Sequence, residues 1–387
     1  MKNIACLLVF MACCYSCSTT GDDFTLISQN PGSPSGNNPN EVPNTTGSSQ
    51  NNTEANLDDI TSDFESLMNI YDIPGAQIAI TRFNKIIYLE SFGKADLQNN
   101  IAVNKNSVFR IASISKPITL TAISKLVAEG KLQLDDFIFG EGSLLGTTYG
   151  NLPYEEQEES ITLYHLVEHL GGFSNDPYDI MFDDIALTHS DLITKVLDER
   201  SLKYSPGSQY EYSNFGYSLL GRIIEKVTDM SYEEYVKEKI LAPMNISGMN
   251  ISGNTKSEAY ENEVTYYSNW GDPYSMNVSR MDSHGGWIAS TKDLALFAMH
   301  SDLQASIPDF LGPDEGLSYL QSSNWNHNGA LPGSLTVLQV SYPVSFVVLT
   351  NKGESNFQEV IQAIRTFMKD KIENRQAWPN NDVVDDL

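Results

Sequence analysis

The sequence predicts an α+β domain of the α/β sandwich type, with one antiparallel sheet built from both ends of the chain and flanked by helices. Three observations carry this expectation. A helix-period run followed by a two-stranded β pattern opens the foldable region. A two-stranded β pattern followed by a helix closes it. Between them, over about 140–285, helical periodicity recurs among loops, so the middle is expected to be a mostly helical insertion. Clefts form where such parts meet.

The elements follow in order. "LDDITSDFESLMNIYD" sets Leu57, Ile60, Phe64, Leu67 and Met68 on one face of a helix. "GAQIAITRFNKIIYLESFG" holds two β-rich runs about a turn at 82–85. "FRIASISKPITLTAISKLVA" contains a helix start, because Pro117 is tolerated only in a first turn; Gly130 closes that helix. In the middle, 215–228 and 232–241 read as helices, and "GGWIASTKDLALFAMH" as a glycine turn leading into another. "SLTVLQVSYPVSFVVLTN" reads as a second hairpin and "FQEVIQAIRTFMKDKIE" as a final helix. The domain therefore spans 57–375, and the acidic tail 376–387 is expected to fray.

Composition narrows the function. With 387 residues, 41% of them hydrophobic, the chain can bury a large core. Its net charge of −26 argues against nucleic acid, whose phosphates need clustered Lys and Arg. The same charge argues against adsorption to anionic lipid headgroups. The four cysteines, Cys6, Cys13, Cys14 and Cys17, all lie in the first 17 residues. The rest of the chain therefore has no disulfide, thiolate nucleophile or cysteine metal site.

The start, "MKNIACLLVFMACCYSCSTTGDD", has one Lys before an apolar run too short for the ~20 residues a membrane helix needs. It fits a secretory signal over 1–17. Because the run ends in cysteines, it looks like a bacterial lipoprotein signal, with Cys17 the lipidated residue and Cys13 the alternative. Residues 18–56, rich in Asn, Ser, Thr, Gly and Pro, read as a disordered tether. The expected location is the periplasm or cell surface, with the membrane reached only through a lipid anchor.

Chemistry centres on Ser113 and Lys116. Residues three apart are neighbours on a helix face, so Lys116 Nζ can reach Ser113 Oγ. The helix start carries a partial positive charge of about half a unit, which favours an alkoxide and lowers a lysine's pKa. Burial lowers it further, as a general-base lysine requires. Taken alone, the pair is equally a helix start with a serine cap. Its company decides. Downstream stand Tyr212-Ser213-Asn214, just before a helix, and His327-Asn328-Gly329, at the start of a strand. "ITLYHLVEHLGGFS" lies between the Ser113 and Tyr212 stretches, and "SHGGWIASTKDLALF" between those of Tyr212 and His327.

These motifs, in this order, resemble the serine β-lactamase-related family of class C β-lactamases, D-alanyl-D-alanine carboxypeptidases, D-amino-acid peptidases and esterases. The resemblance covers about residues 60–370 and implies a β-lactamase/transpeptidase-like fold and no cofactor. It implies that Ser113 is the acylated nucleophile, Lys116 its base and Tyr212 a partner in proton transfer. Asn214 would bond Lys116 and a substrate amide. His327 and Gly329 match a strand motif that is Lys-Thr-Gly in many relatives, and the N–H groups of Ser113 and Ala330 would form the oxyanion hole. The substrate would be a small molecule or short peptide. Because His327, with an ordinary pKa of ~6.5, stands where a permanently charged lysine is common, neutral esters or amides are favoured over carboxylates.

Two other readings compete. "HLVEH" at 165–169 matches an inverted zinc-peptidase pattern, with His165 and His169 as ligands and Glu168 as base. Gly171 and Gly172 follow at once, however, where a zinc helix should continue. The third reading is a catalytically inactive penicillin-binding or sensing relative, against which the intact Ser113, Lys116, Tyr212 and Asn214 set speaks.

Overall fold

A computed structural model describes residues 56–304 and 307–383. The signal, tether and lipidation expectations therefore lie outside the described residues. The leading helix, α1 (Asp58–Ile70), buries Ile60, Phe64 and Met68 as its periodicity requires. A hairpin follows, β1 (Gly75–Arg82) and β2 (Lys85–Asp96). Its two-residue turn, Phe83 and Asn84, has positive φ at both positions, which matches the right-handed twist of the strands. Near the other end, β8 (Asn324–Leu331), β9 (Ser334–Ser341) and β10 (Val344–Thr350) form a meander, and α9 (Phe357–Glu373) ends it. Five short strands lie between these: β3 (Ile101–Ala102), β4 (Phe109–Arg110), β5 (Asn250–Ile251), β6 (Tyr267–Ser268) and β7 (Trp287–Ala289).

The main sheet has six strands in the order β3-β2-β1-β10-β9-β8. The first and last hairpins join where β1 pairs antiparallel with β10, from Ala76 opposite Thr350 to Arg82 opposite Val344. One antiparallel sheet is thus assembled from both chain ends, as the order of periodicities predicted. Alternation along the strands sorts its two faces. Ile78, Ile80, Val337, Phe346 and Val348 pack against α1 and α9, joining Phe64, Val360, Ile364 and Met368. On the opposite face, Leu338, Val340, Val347 and Leu349 enter the larger core, while Ala79 meets α8 (Thr291–Met299) through Ala295 and Met299.

That larger core encloses α2 (Ser115–Ala128), which is buried on almost every side. The middle supplies α3 (Glu156–Glu159), α4 (Leu163–Val167), α5 (His189–Glu199), α6 (Asn214–Thr228) and α7 (Tyr232–Val236), with long irregular stretches between them. The strands β4, β7 and β5 form a small second sheet, and β6 pairs with β11 (Lys352–Gly353). The tail differs from expectation. Rather than fraying, Trp378 packs on the α1/α9 core and Val383 N–H donates to Ile86 O at 2.8 Å. Trp378 and Val383 provide apolar contacts that hold the described part of the tail, 376–383, against the domain. None of the described helices is long and apolar enough to cross a membrane.

Candidate active site

Three pieces of chain converge at the start of α2. Ser113 lies in a short 3₁₀ turn, Ala112–Ile114, that leads directly into the helix. Pro117 sits in the helix's first turn, where no hydrogen-bond donor is needed. Ala112 has φ +49°, a left-handed conformation costly for a residue with a Cβ. The strand β8 approaches this turn closely, and Gly329 explains how: a Cβ there would lie 2.3 Å from Ile111 O and 2.3 Å from Thr336 Oγ1. Thr336 Oγ1 donates to Ile111 O at 3.0 Å, tying β9 to the same segment. The third piece is the start of α6, capped by Ser213, whose Oγ accepts the Gly216 N–H at 3.0 Å.

The side chains meet at Ser113 Oγ. It accepts from Lys116 Nζ at 3.2 Å and from the Tyr212 hydroxyl at 3.0 Å. Lys116 Nζ also donates to Asn214 Oδ1 at 2.7 Å and to His284 O at 2.8 Å. An ammonium has three donors, and here each has an acceptor. Two of those acceptors, an amide oxygen and a backbone carbonyl, carry no proton to exchange. Lys116 is fully buried, whereas Ser113, Tyr212 and Asn214 are half-buried. Lys116 Nζ lies 4.8 Å from the Tyr212 ring centroid, so its charge sits beside the phenol.

His327 lies on the face of β8 that looks toward α2 and is buried, its ring stacked on Tyr319 at 6.0 Å. Its Nδ1 is buried with no hydrogen-bond partner. Burial, reinforced by the Lys116 charge, pushes its pKa down to about 3, so the imidazole is neutral. Ala330 follows Gly329 on β8, the outer strand of the sheet. Gly329 itself serves the close approach of strand to turn, since it has no side chain to offer a ligand.

A beta-lactamase family model matches residues 60–367, most of the chain. The chain belongs to the beta-lactamase family. Among curated relatives, "Protein flp" of Staphylococcus aureus (strain MRSA252) is 29% identical over 192 residues, which are 49% of this chain and 37% of that protein. A putative D-alanyl-D-alanine carboxypeptidase of Escherichia coli O157:H7 is 25% identical over 258 residues, 58% of each chain. The chain thus spans about a third to three-fifths of the length of these relatives. Among solved structures, the octameric penicillin-binding protein homologue from Pyrococcus abyssi superposes with TM-score 0.63 at 23% identity, covering 83% of this chain and 79% of that one. The D-amino acid amidase from Ochrobactrum anthropi SV3 gives TM-score 0.65 at 18% identity, covering 81% and 98%. These likenesses are in fold.

Within this beta-lactamase family chain, the competing zinc arrangement is not formed. Helix α4 ends at Val167, and His169 takes φ +57°, so His165 and His169 do not share a helix face. His165 Nδ1 accepts the Thr162 N–H at 3.2 Å. His169 Nδ1 accepts the Ser213 N–H at 3.1 Å, and its ring lies between Tyr217 and Tyr212 at 4.8 and 4.6 Å. Glu168 accepts from Ser318 Oγ. Each side chain is turned to a different partner, and no metal-ligating cluster occurs among the described residues. The competing zinc reading is not met because the helix stops at Val167 and the chain turns through a left-handed conformation at His169, two residues beyond the last helical residue.

Some contributors were not foreseen in the sequence. His284 enters through its backbone carbonyl, which no side-chain pattern can mark. Asp179 reaches Asn214 across 35 residues of irregular chain, with no spacing signature. The sequence offers His169 only as a metal ligand, yet its ring stacks on Tyr217 and lies tilted against Tyr212 at 4.6 Å.

Proposed function

We propose that this chain is a serine hydrolase that cleaves a neutral amide or ester through an acyl-serine intermediate. The carrying observation is the double contact of Ser113 Oγ with Lys116 Nζ and the Tyr212 hydroxyl. The step needs Lys116 as the neutral amine or Tyr212 as the phenolate: as Ser113 Oγ bonds to the carbonyl carbon, its proton passes to that deprotonated group and the carbonyl becomes an oxyanion. The N–H groups of Ser113 and Ala330 receive that charge. Collapse expels the amine or alcohol, which takes the proton back. Water then attacks the acyl-serine by the same route in reverse, releasing the acid and restoring Ser113.

The neutral His327 supports the substrate class. A leaving group bearing a free carboxylate gains no cationic partner from it, so amides and esters fit better than peptides ending in D-alanine. Among the similar proteins, this favours the amide chemistry of the D-amino acid amidase over that of the carboxypeptidases. The signal-like start supports export, with Cys17 as lipid anchor.

The test is a panel of p-nitrophenyl esters, D-amino-acid amides, a chromogenic cephalosporin and D-alanyl-D-alanine peptides on wild type and Ser113→Ala. Wild type should prefer esters or amides, and a fluorophosphonate should add its mass to Ser113. Turnover surviving in Ser113→Ala would overturn the mechanism. A preference for D-alanyl-D-alanine peptides would overturn the substrate class.

A further inference from the structure

Behind the Lys116–Asn214 contact lies a carboxylate to which none of the site motifs assigns a role. Asp179 is 6% exposed and caps a short 3₁₀ turn, Ile180–Phe182, with Oδ1 accepting the Met181 N–H at 3.0 Å. Its Oδ2 accepts from Asn214 Nδ2 at 2.5 Å. Asn214 is thus gripped at both ends: its oxygen receives Lys116 and its nitrogen gives to Asp179.

We propose that Asp179 is a positioning residue of the catalytic site, fixing the Asn214 amide with Oδ1 toward Lys116 and so holding Nζ against Ser113. The proposal rests on the reading of Ser113 and Lys116 as nucleophile and base. Its argument is one of complementarity. The two ends of an asparagine amide have nearly the same shape, and only their partners decide which way it faces. An ammonium only donates and a carboxylate only accepts. One orientation satisfies both, and the reverse places an amide donor against an ammonium and an amide oxygen against a carboxylate. Asp179 makes the reverse orientation costly, because its carboxylate is buried and needs donors.

Charge adds to geometry. Asp179 stands one side chain away from the buried Lys116 and acts as a remote counter-charge. Burial raises the Asp179 carboxyl above the ordinary range, while the Asn214 and Met181 donors and the Lys116 charge pull it back. The chain Asp179–Asn214–Lys116–Ser113 is therefore a sequence of acceptor, bridging amide, donor and nucleophile. Its bond directions are fixed at the buried end.

The test exchanges the two groups. Asp179→Asn keeps the shape and an acceptor for the Met181 N–H, but it offers a donor where Asn214 needs an acceptor. Asn214→Asp places two carboxylates against each other. The double variant D179N/N214D restores one donor and one acceptor at their contact, with a carboxylate oxygen still facing Lys116. On an ester turned over by the wild type, each single variant should lose about 10² in kcat, as expected for a misplaced catalytic group, with KM within a few-fold. The double variant should recover at least about tenfold over the worse single, a coupling that contacting residues show.

A wild-type kcat in D179N, or a double variant no better than the worse single, overturns the proposal. If D179N does not fold, Asp179→Ser provides the reading. Its hydroxyl can serve the cap but is one atom short of Asn214, and kcat should fall as in D179N; an unchanged kcat overturns the proposal. Failure of the nucleophile reading is separate, because it appears as activity in Ser113→Ala whatever happens at Asp179.

Discussion

Tyr212 is constrained from several directions. Its hydroxyl donates to Ser113, its ring lies tilted against His169, and its carbonyl accepts from Asn175 Nδ2 at 2.9 Å. Tyr212→Phe keeps the ring contact and removes one hydroxyl. The expected result is a loss of about 10²–10⁴ in kcat, the range for a general acid–base group, with melting temperature nearly unchanged. His327 gives a second test at this scale. With its pKa pushed down to about 3, its ring signals should show no titration between pH 5 and 8 in an NMR series. A midpoint near 6.5 would remove the physical basis for preferring neutral substrates. Ser113 and Lys116 were legible because their relation is local, three residues apart across the 3₁₀ turn and the first turn of α2. Tyr212 and Asn214 were legible only through family resemblance, since 99 and 98 residues separate them from their partners. Asp179 and the His284 carbonyl had no such aid.

Elements, in turn, bring these residues within reach. The start of α6 depends on its Ser213 cap, so Ser213→Ala should cost about 0.5–2 kcal/mol of stability in chemical denaturation. The same change should lower kcat, because Tyr212 and Asn214 flank the cap. Gly329→Ala tests the approach of β8 to the catalytic turn. Its Cβ has no room beside Ile111 O and Thr336 Oγ1, so strand and turn must separate. A destabilisation of about 1–3 kcal/mol is expected from such overpacking, together with loss of acylation by a fluorophosphonate. Full acylation at the wild-type rate would show that Gly329 does not set this spacing. Long periodic elements were readable in advance: both hairpins, α1, α2, α6 and α9 fall within a residue or two of their patterns. The strands β4, β5, β6 and β7 were not, because two or three residues carry no period and pair only through distant contacts.

At the scale of the whole molecule, three histidines surround one lysine: His284 and His327 are buried and His169 is half-buried. His169, His284 and His327 are all held below the ordinary imidazole range, first by burial and then by the Lys116 charge. Their unfolded forms protonate near ~6.5, so below that pH the unfolded state binds more protons than the folded one. Stability from these groups is complete above about pH 6.5 and is lost as pH falls toward their folded values. The melting temperature should therefore be level near neutrality and decline steadily from pH 6.5 to 4. A melting temperature that rises on mild acidification would contradict this.

The junction of β1 with β10 carries a further consequence, for the order of synthesis. A ribosome delivers Ala76 some 274 residues before Thr350, its partner in the sheet. Until then β1 has a free edge, and such edges invite pairing with other chains. Long-range pairing of this kind also slows folding. Ser113, Lys116 and Tyr212 all emerge before β8, the strand that completes their surroundings. A nascent chain thus carries Ser113, the proposed nucleophile, well before the surrounding site can form, and reactivity should appear only once the last strands have docked.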